Sequence, residues 1–265
     1  MTLTDHTTAI RNDGRKALVP FLTAGYPDES TFLDCARAAA TAGADVIEIG
    51  VPFSDPIADG PVIQAASTTA LAGGMTLARA LALAASLSKE IATPLVIMSY
   101  VNPILSYGPD RFAMDANGAG VSGVILPDVS FEESAPLRSA FHTMDFIHLL
   151  APTSSAERVE AIAKDATGFL YLVSLTGVTG ARESLAEGLD DFVDRVRAKA
   201  SVPLYVGFGV STEEHARTVT ASADGVIIGS RLIRLIDEGD RGGAPDRVGA
   251  FLDRVRRAID DRADI

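Results

Sequence analysis

The sequence predicts an α/β fold, specifically a (β/α)8 TIM barrel formed as a single domain over residues 1–265. Three observations lead there. Eight short β-branched or apolar runs alternate with alanine-rich amphipathic segments; the entries into several of those runs echo one another; and no Gly-x-Gly-x-x-Gly turn follows the first run, where a doubly wound dinucleotide fold would carry it. In chain order, the first run, Ala17 to Leu22, leads into Thr23-Ala24-Gly25-Tyr26-Pro27, and helical periodicity follows over Ser30 to Thr41. Asp45 to Ile49 is the second strand. The helical segment Leu77 to Glu90 is stopped before Pro94, and Leu95 to Ser99 is the third strand. Gly123 to Leu126, Phe146 to Leu150 and Phe169 to Val173 supply the next three, with a helix at Glu157 to Asp165 before the sixth. The helix Leu189 to Ala200 precedes Leu204 to Val206, Gly225 to Ile228 is the eighth strand, and a helix at Arg247 to Asp261 closes the chain. The echo is Gly43-Ala44-Asp45-Val46-Ile47 against Ala223-Asp224-Gly225-Val226-Ile227, more loosely Gly120-Val121-Ser122-Gly123-Val124-Ile125; each is a helix end entering a buried strand.

Composition narrows the function classes. With 47% hydrophobic and 22% charged residues the chain can bury a substantial core. A formal charge of −12 argues against a nucleic-acid partner, whose phosphates call for clustered Lys and Arg. It leaves room for a small anion, which backbone N–H groups at helix N-termini can hold without net positive charge. The single cysteine, Cys35, sits in a helical pattern as a small core residue and fits a reducing, cytoplasmic setting. The N-terminus lacks the charge-then-apolar pattern of a secretory signal. No segment spans a membrane, because the richest apolar region, Leu77 to Met98, is interrupted by Arg79, Lys89, Glu90 and Pro94. The four histidines, His6, His142, His148 and His215, have no metal-ligand spacing, and no metal is expected.

Barrel enzymes place their chemistry at the C-terminal ends of the strands, which is where Glu48 falls. Strand alternation puts it on the face of Val46 and directs it to the barrel axis, with Ile47 and Ile49 toward the outer helices. A carboxyl buried there is either paired or held protonated near neutrality. Asp59, eleven positions on, reads by itself as a turn or helix-capping aspartate, and so does Asp55 between Ser54 and Pro56. Tyr171 shares a face with Phe169 and Val173, either as a barrel-filling aromatic or as a site residue. Gly207-Phe208-Gly209-Val210-Ser211 and Gly229-Ser230-Arg231 follow the seventh and eighth strands, where phosphate-binding barrels gather backbone donors. The segment Ser174 to Glu183 combines two glycines with small polar residues, a composition suited to a closing lid or to a plain connection.

The run Glu48-Ile49-Gly50-Val51-Pro52-Phe53-Ser54-Asp55-Pro56-Ile57-Ala58-Asp59-Gly60-Pro61-Val62-Ile63-Gln64 resembles the signature of the tryptophan synthase alpha subunit, and the likeness extends from Pro20-Phe21 through Gly229-Ser230. The resemblance implies a lyase of L-tryptophan biosynthesis that cleaves indole-3-glycerol phosphate to indole and glyceraldehyde 3-phosphate by a retro-aldol step. It assigns proton transfer to Glu48, the ring N–H to Asp59 and an orienting role to Tyr171. It also implies an indole pocket walled by Phe21, Ile63, Met98, Leu126 and Phe208, a lid contact from Thr179 to Asp59, and phosphate contacts at Gly180, Gly209, Gly229 and Ser230. A partner follows as well: a pyridoxal-phosphate-dependent beta subunit in an alpha2beta2 heterotetramer, met through Pro52, Asp55, Pro56, Tyr100, Asn102 and Pro103. The pyridoxal phosphate belongs to that partner, and no cofactor is expected in this chain. Two departures stand out, Leu175 where some members carry arginine and Ser130-Phe131 where a second proline is common. Three alternatives remain: a standalone lyase on the same substrate, a non-catalytic phosphate-binding barrel that only regulates, and another sugar-phosphate enzyme on the same fold.

Overall fold

The computed structural model describes residues 1–173, 188–207 and 209–261. Nine strands are present among them: β1 (Ala17–Thr23), β2 (Ile47–Gly50), β3 (Leu95–Met98), β4 (Val121–Ile125), β5 (Asp145–Ile147), β6 (Leu149–Leu150), β7 (Leu170–Val173), β8 (Leu204–Gly207) and β9 (Gly225–Ile228). Every pairing is parallel, in the order β5-β4-β3-β2-β1-β9-β8-β7-β6. The two ends of that order are one stretch of chain. Residues 145–150, expected as one strand, pair with β4 through their first half and with β7 through their second, so the sheet closes on itself as an eight-walled barrel. The handover falls at His148, whose carbonyl accepts from the Tyr171 N–H at 3.0 Å.

The helices are α1 (Leu3–Asn12), α2 (Glu29–Thr41), α3 (Pro61–Ala72), α4 (Leu77–Leu87), α5 (Val101–Tyr107), α6 (Pro109–Gly118), α7 (Ala135–Ala140), α8 (Ala156–Asp165), α9 (Leu189–Arg197), α10 (Glu213–Ser222), α11 (Ser230–Asp237) and α12 (Ala244–Asp260). Strand alternation sorts the core into two apolar layers. Val19, Phe21, Val46, Val96, Ile147 and Phe169 fill the barrel, whereas Leu18, Ile47, Ile49, Ile97, Val124 and Leu172 pack outward under the helices. No single described helix is long and apolar enough to cross a membrane; only α3 and α4 taken together reach that composition, across a 98° bend.

One helix escapes the periodicity argument. α1 opens with a capping box, Thr2 and Asp5 each accepting from the other's backbone N–H, and carries Leu3 and Ile10 into the barrel interior from below. Thr4 N–H donates to Asp145 Oδ2 at 2.8 Å, and Thr7 Oγ1 donates to the Gly168 carbonyl at 2.6 Å, which fixes the plug to the strand entrances. The sequence echo has a physical basis at that same end. Asp45 accepts from Leu18 N–H at 2.9 Å and pairs with Arg256 at 2.8 Å; Asp224 accepts from Leu204 N–H at 2.9 Å and pairs with Arg197 at 3.1 Å. Each aspartate ties its strand's base to a neighbouring strand and to an outer helix.

Candidate active site at the C-terminal ends of the strands

Glu48 lies on β2 opposite Phe21 of β1 and Val96 of β3, and is only 1% exposed. Its neighbour Val46 belongs to the barrel interior and Ile47 and Ile49 to the outer layer, so its side chain faces the axis. Neither carboxyl oxygen has a hydrogen-bond partner among the described residues. Burying an unpaired carboxylate is costly, and burial, reinforced by the nearby Asp59 charge, pushes the Glu48 pKa up to about 8. At neutral pH this group is a carboxylic acid.

Two residues along the same face, Gly50 opens a small cavity lined by Phe21, Asp59, Ile63, Met98 and Tyr100. The glycine makes that space. A Cβ on Gly50 would stand 2.3 Å from the Phe21 ring, which spans from there to Gly229 at the end of β9. Asp59 reaches the cavity from the turn before α3, where Pro61 at the first helical position and the Gly60 cap start the helix. Gln64 Nε2 donates to its carbonyl at 2.8 Å, and its Oδ2 accepts from the Tyr100 hydroxyl at 3.2 Å. Burial raises the Asp59 pKa to about 6 and the Tyr100 hydrogen bond holds it back from rising further. The two carboxyls therefore sit on opposite sides of neutrality for the same leading reason, with the difference set by depth and by one phenol.

Tyr171 lies on β7 inside the barrel, 5% exposed. Its ring rests against Gly207 of β8, where a Cβ would stand 2.2 Å from the phenolic oxygen. Burial first, then the charges of Glu48 and Asp59, push its pKa well above the ordinary tyrosine range, which keeps the phenol protonated.

Of the remaining wall positions, Phe21, Ile63 and Met98 line the cavity together. Leu126 does not: it packs in the outer layer, and Ile125 is the interior residue of that strand end, because Gly123 and Ile125 alternate inward. Tyr100, expected on the partner surface, is 4% exposed, and its hydroxyl contacts the aspartate instead. Thr179, Gly180 and Phe208, with the lid segment and Leu175, lie outside the described residues. Gly209 has a left-handed φ of 82°, and Gly229 and Ser230 begin α11 with no side-chain cap, leaving helix N–H groups for an anion.

The turn positions Pro52, Asp55 and Pro56 and the α5 positions Asn102 and Pro103 flank Tyr100 at this end of the barrel. Asp55 and Asn102 are exposed, Pro56 and Pro103 half-buried and Pro52 buried. Phe53 stacks on Tyr100 at 5.2 Å, and the Asp128 carboxylate accepts from Val101 N–H at 3.0 Å to cap α5. Ile57, a residue the motif reading passed over, stands 85% exposed in the same turn. The departure at Ser130-Phe131 is absorbed locally: Ser130 Oγ donates to Glu133 Oε2 at 2.9 Å, and Phe131 packs edge-on against His148 at 5.2 Å.

The family model described as tryptophan synthase alpha chain matches residues 8–255. A tryptophan synthase alpha chain from Citrifermentans bemidjiense is 43% identical over 259 residues, covering 97% of each chain, and one from Synechococcus elongatus is 45% identical over 262 residues with the same coverage. The crystal structure of the alpha chain from Legionella pneumophila superposes with a TM-score of 0.90 at 36% identity, covering both chains fully. A Mycobacterium tuberculosis tryptophan synthase structure matches with a TM-score of 0.88 at 37% identity over 97% of each chain. Identity at this level along nearly the whole length, on a barrel of the same shape, leaves one conclusion: the chain belongs to the tryptophan synthase alpha chain family.

Proposed function

We propose that the chain cleaves indole-3-glycerol phosphate to indole and glyceraldehyde 3-phosphate, a carbon–carbon lyase reaction, with Glu48 and Asp59 as its two acting carboxyls. The observation that carries the assignment is the Glu48 carboxyl itself, buried without a hydrogen-bond partner among the described residues, its pKa pushed up to about 8 while that of Asp59 is raised only to about 6. The bond to be broken joins an indole ring carbon to an alcohol carbon and is inert until that ring carbon is protonated. Glu48 donates this proton, which creates an indoleninium cation. Asp59, as carboxylate, accepts the ring N–H and stabilises the positive charge. The Glu48 carboxylate then takes the hydroxyl proton as the carbon–carbon electron pair returns to the ring, releasing aldehyde and aromatic indole and restoring the acid. Tyr171, buried inside the barrel and held protonated, orients the substrate. Phe21, Ile63 and Met98 wall the ring, and the phosphate sits against Gly209, Gly229 and Ser230.

The partner reading is a beta subunit carrying pyridoxal phosphate in an alpha2beta2 assembly, in a cytoplasmic setting. It is supported by the exposed Asp55, Ile57 and Asn102 gathered around the mouth of the site, where released indole would leave. The test is indole release from indole-3-glycerol phosphate by the wild type and Glu48→Gln, each with and without a beta subunit. Turnover that rises with the partner and drops by about a hundredfold or more in the variant is expected. Turnover indifferent to the partner would favour a standalone lyase, and none under either condition would leave a regulatory phosphate-binding barrel.

A further inference from the structure

Away from the cavity beside Asp59, a cleft of about 270 Å³ opens between the start of α10, α11 and α12. Three guanidiniums line it: Arg231 and Arg234 from α11 and Arg254 from α12. Two of them lie over the ring of the buried Phe251, Arg231 at 5.7 Å and Arg254 at 5.8 Å from its centroid, which steadies the cations at the cleft wall. Two carboxylates oppose them. Glu213 accepts from Arg254 Nε at 2.6 Å, and Glu238 from Arg231 Nη1 at 2.9 Å. Arg234 has no ion pair among the described residues. The cleft thus keeps a cationic surplus within a chain whose formal charge is −12.

Its position gives the surplus a use. Ser211 and Thr212 enter the cleft just after Gly209, and Arg231 follows Ser230, so both loops assigned to the phosphate run into it. A phosphomonoester approaching this acidic protein is repelled at long range. A local cluster of guanidinium cations beside the binding loops reverses the field where the ligand must arrive. We propose that the Arg231, Arg234 and Arg254 cleft is an outer anion site that captures the phosphomonoester end of the substrate and hands it to the Gly209 and Ser230 loops. This rests on the phosphate placement given under the proposed function.

The test compares wild type, Arg234→Gln, the double variant Arg231→Gln/Arg234→Gln and Glu213→Gln. The readouts are kcat/KM for indole-3-glycerol phosphate at low and high salt, and the affinity for inorganic phosphate by calorimetry. At low salt kcat/KM should fall about threefold in Arg234→Gln and about tenfold in the double variant, and rise in Glu213→Gln, with the differences closing near 0.5 M salt. Phosphate affinity should follow the same order. Unchanged kcat/KM at low salt overturns the proposal, and so does a loss that salt does not diminish, since that is the mark of a structural defect. If the wild type releases no indole, the lyase reading fails by itself, and the phosphate titration decides the cleft: weaker binding in the double variant upholds an anion site, equal binding removes it.

Discussion

The Tyr100 hydroxyl donates to Asp59 Oδ2 at 3.2 Å while accepting from the Ala58 N–H at 2.9 Å, so one phenol fixes both the carboxylate and the turn that carries it. Phe53 stacks on that phenol from the outer turn, which links the exposed loop to the aspartate. Removing the hydroxyl takes away the hydrogen bond that holds the Asp59 pKa down and leaves burial unopposed. Tyr100→Phe should therefore move the acid limb of kcat/KM upward by about one pH unit, the worth of one hydrogen bond to a charged group. Activity at pH 6 should suffer more than at pH 8. An equal loss at both would mean that Tyr100 shapes the pocket without tuning the carboxylate.

The wild-type pH profile follows from the two carboxyls. Asp59 must be ionised, which requires pH above about 6, and Glu48 must carry its proton, which requires pH below about 8. The profile of kcat/KM should be a bell with its crest near pH 7 and each limb falling about tenfold per pH unit. Asp59→Asn should lose about a hundredfold or more and lose the acid limb with it. A wild-type profile flat to pH 9 would remove Glu48 as a general acid in the free enzyme.

Stability carries the same signature with a definite sign. The folded Glu48 pKa lies above its unfolded value, so below about pH 4.5 both states are protonated and the group costs nothing through ionisation. As pH rises the unfolded chain gains from ionising while the folded one cannot follow, and stability is lost progressively up to about pH 8. By pH 7 the penalty is on the order of 3 kcal/mol. Glu48→Gln should raise the melting temperature at pH 8 by more than at pH 5, measured by calorimetry in matched buffers. A pH-independent difference would show that the carboxyl ionises as freely in the fold as in water.

The features legible in the sequence were those with a local signal. The alternation of Val46, Ile47, Glu48 and Ile49 fixed which way Glu48 faces, because a strand has period two wherever it is buried. The paired echo at Asp45 and Asp224 survived because each aspartate performs the same task at the base of its strand. What escaped was tertiary. The α1 plug is specified by contacts to Asp145 and Gly168, more than a hundred residues away. Leu126 and Ile125 differ by one register step that an apolar run does not display, since both are buried. Tyr100 reads as a turn residue near a proline, and only the folded loop brings its hydroxyl to Asp59. The role of Gly207 was equally hidden, because a glycine's reason is the side chain that lies against it.

That reason yields a prediction. The Tyr171 ring occupies the space a side chain at Gly207 would need, with the phenolic oxygen 2.2 Å and its ring carbon Cζ 2.5 Å from where a Cβ would stand. These are the atoms that carry the hydroxyl, so Gly207→Ala forces the ring itself off its site and not only a flexible tip. The substitution should cost about 1–3 kcal/mol of stability, as overpacking in a filled core does, and should displace the phenol from its seat against β8. In a Tyr171→Ala background the same added methyl meets empty space and should cost far less. A double-mutant cycle followed by chemical denaturation reads the difference as a coupling of about 1 kcal/mol or more. Additive effects would show that the strand adjusts around the methyl and that Gly207 is not what seats the tyrosine.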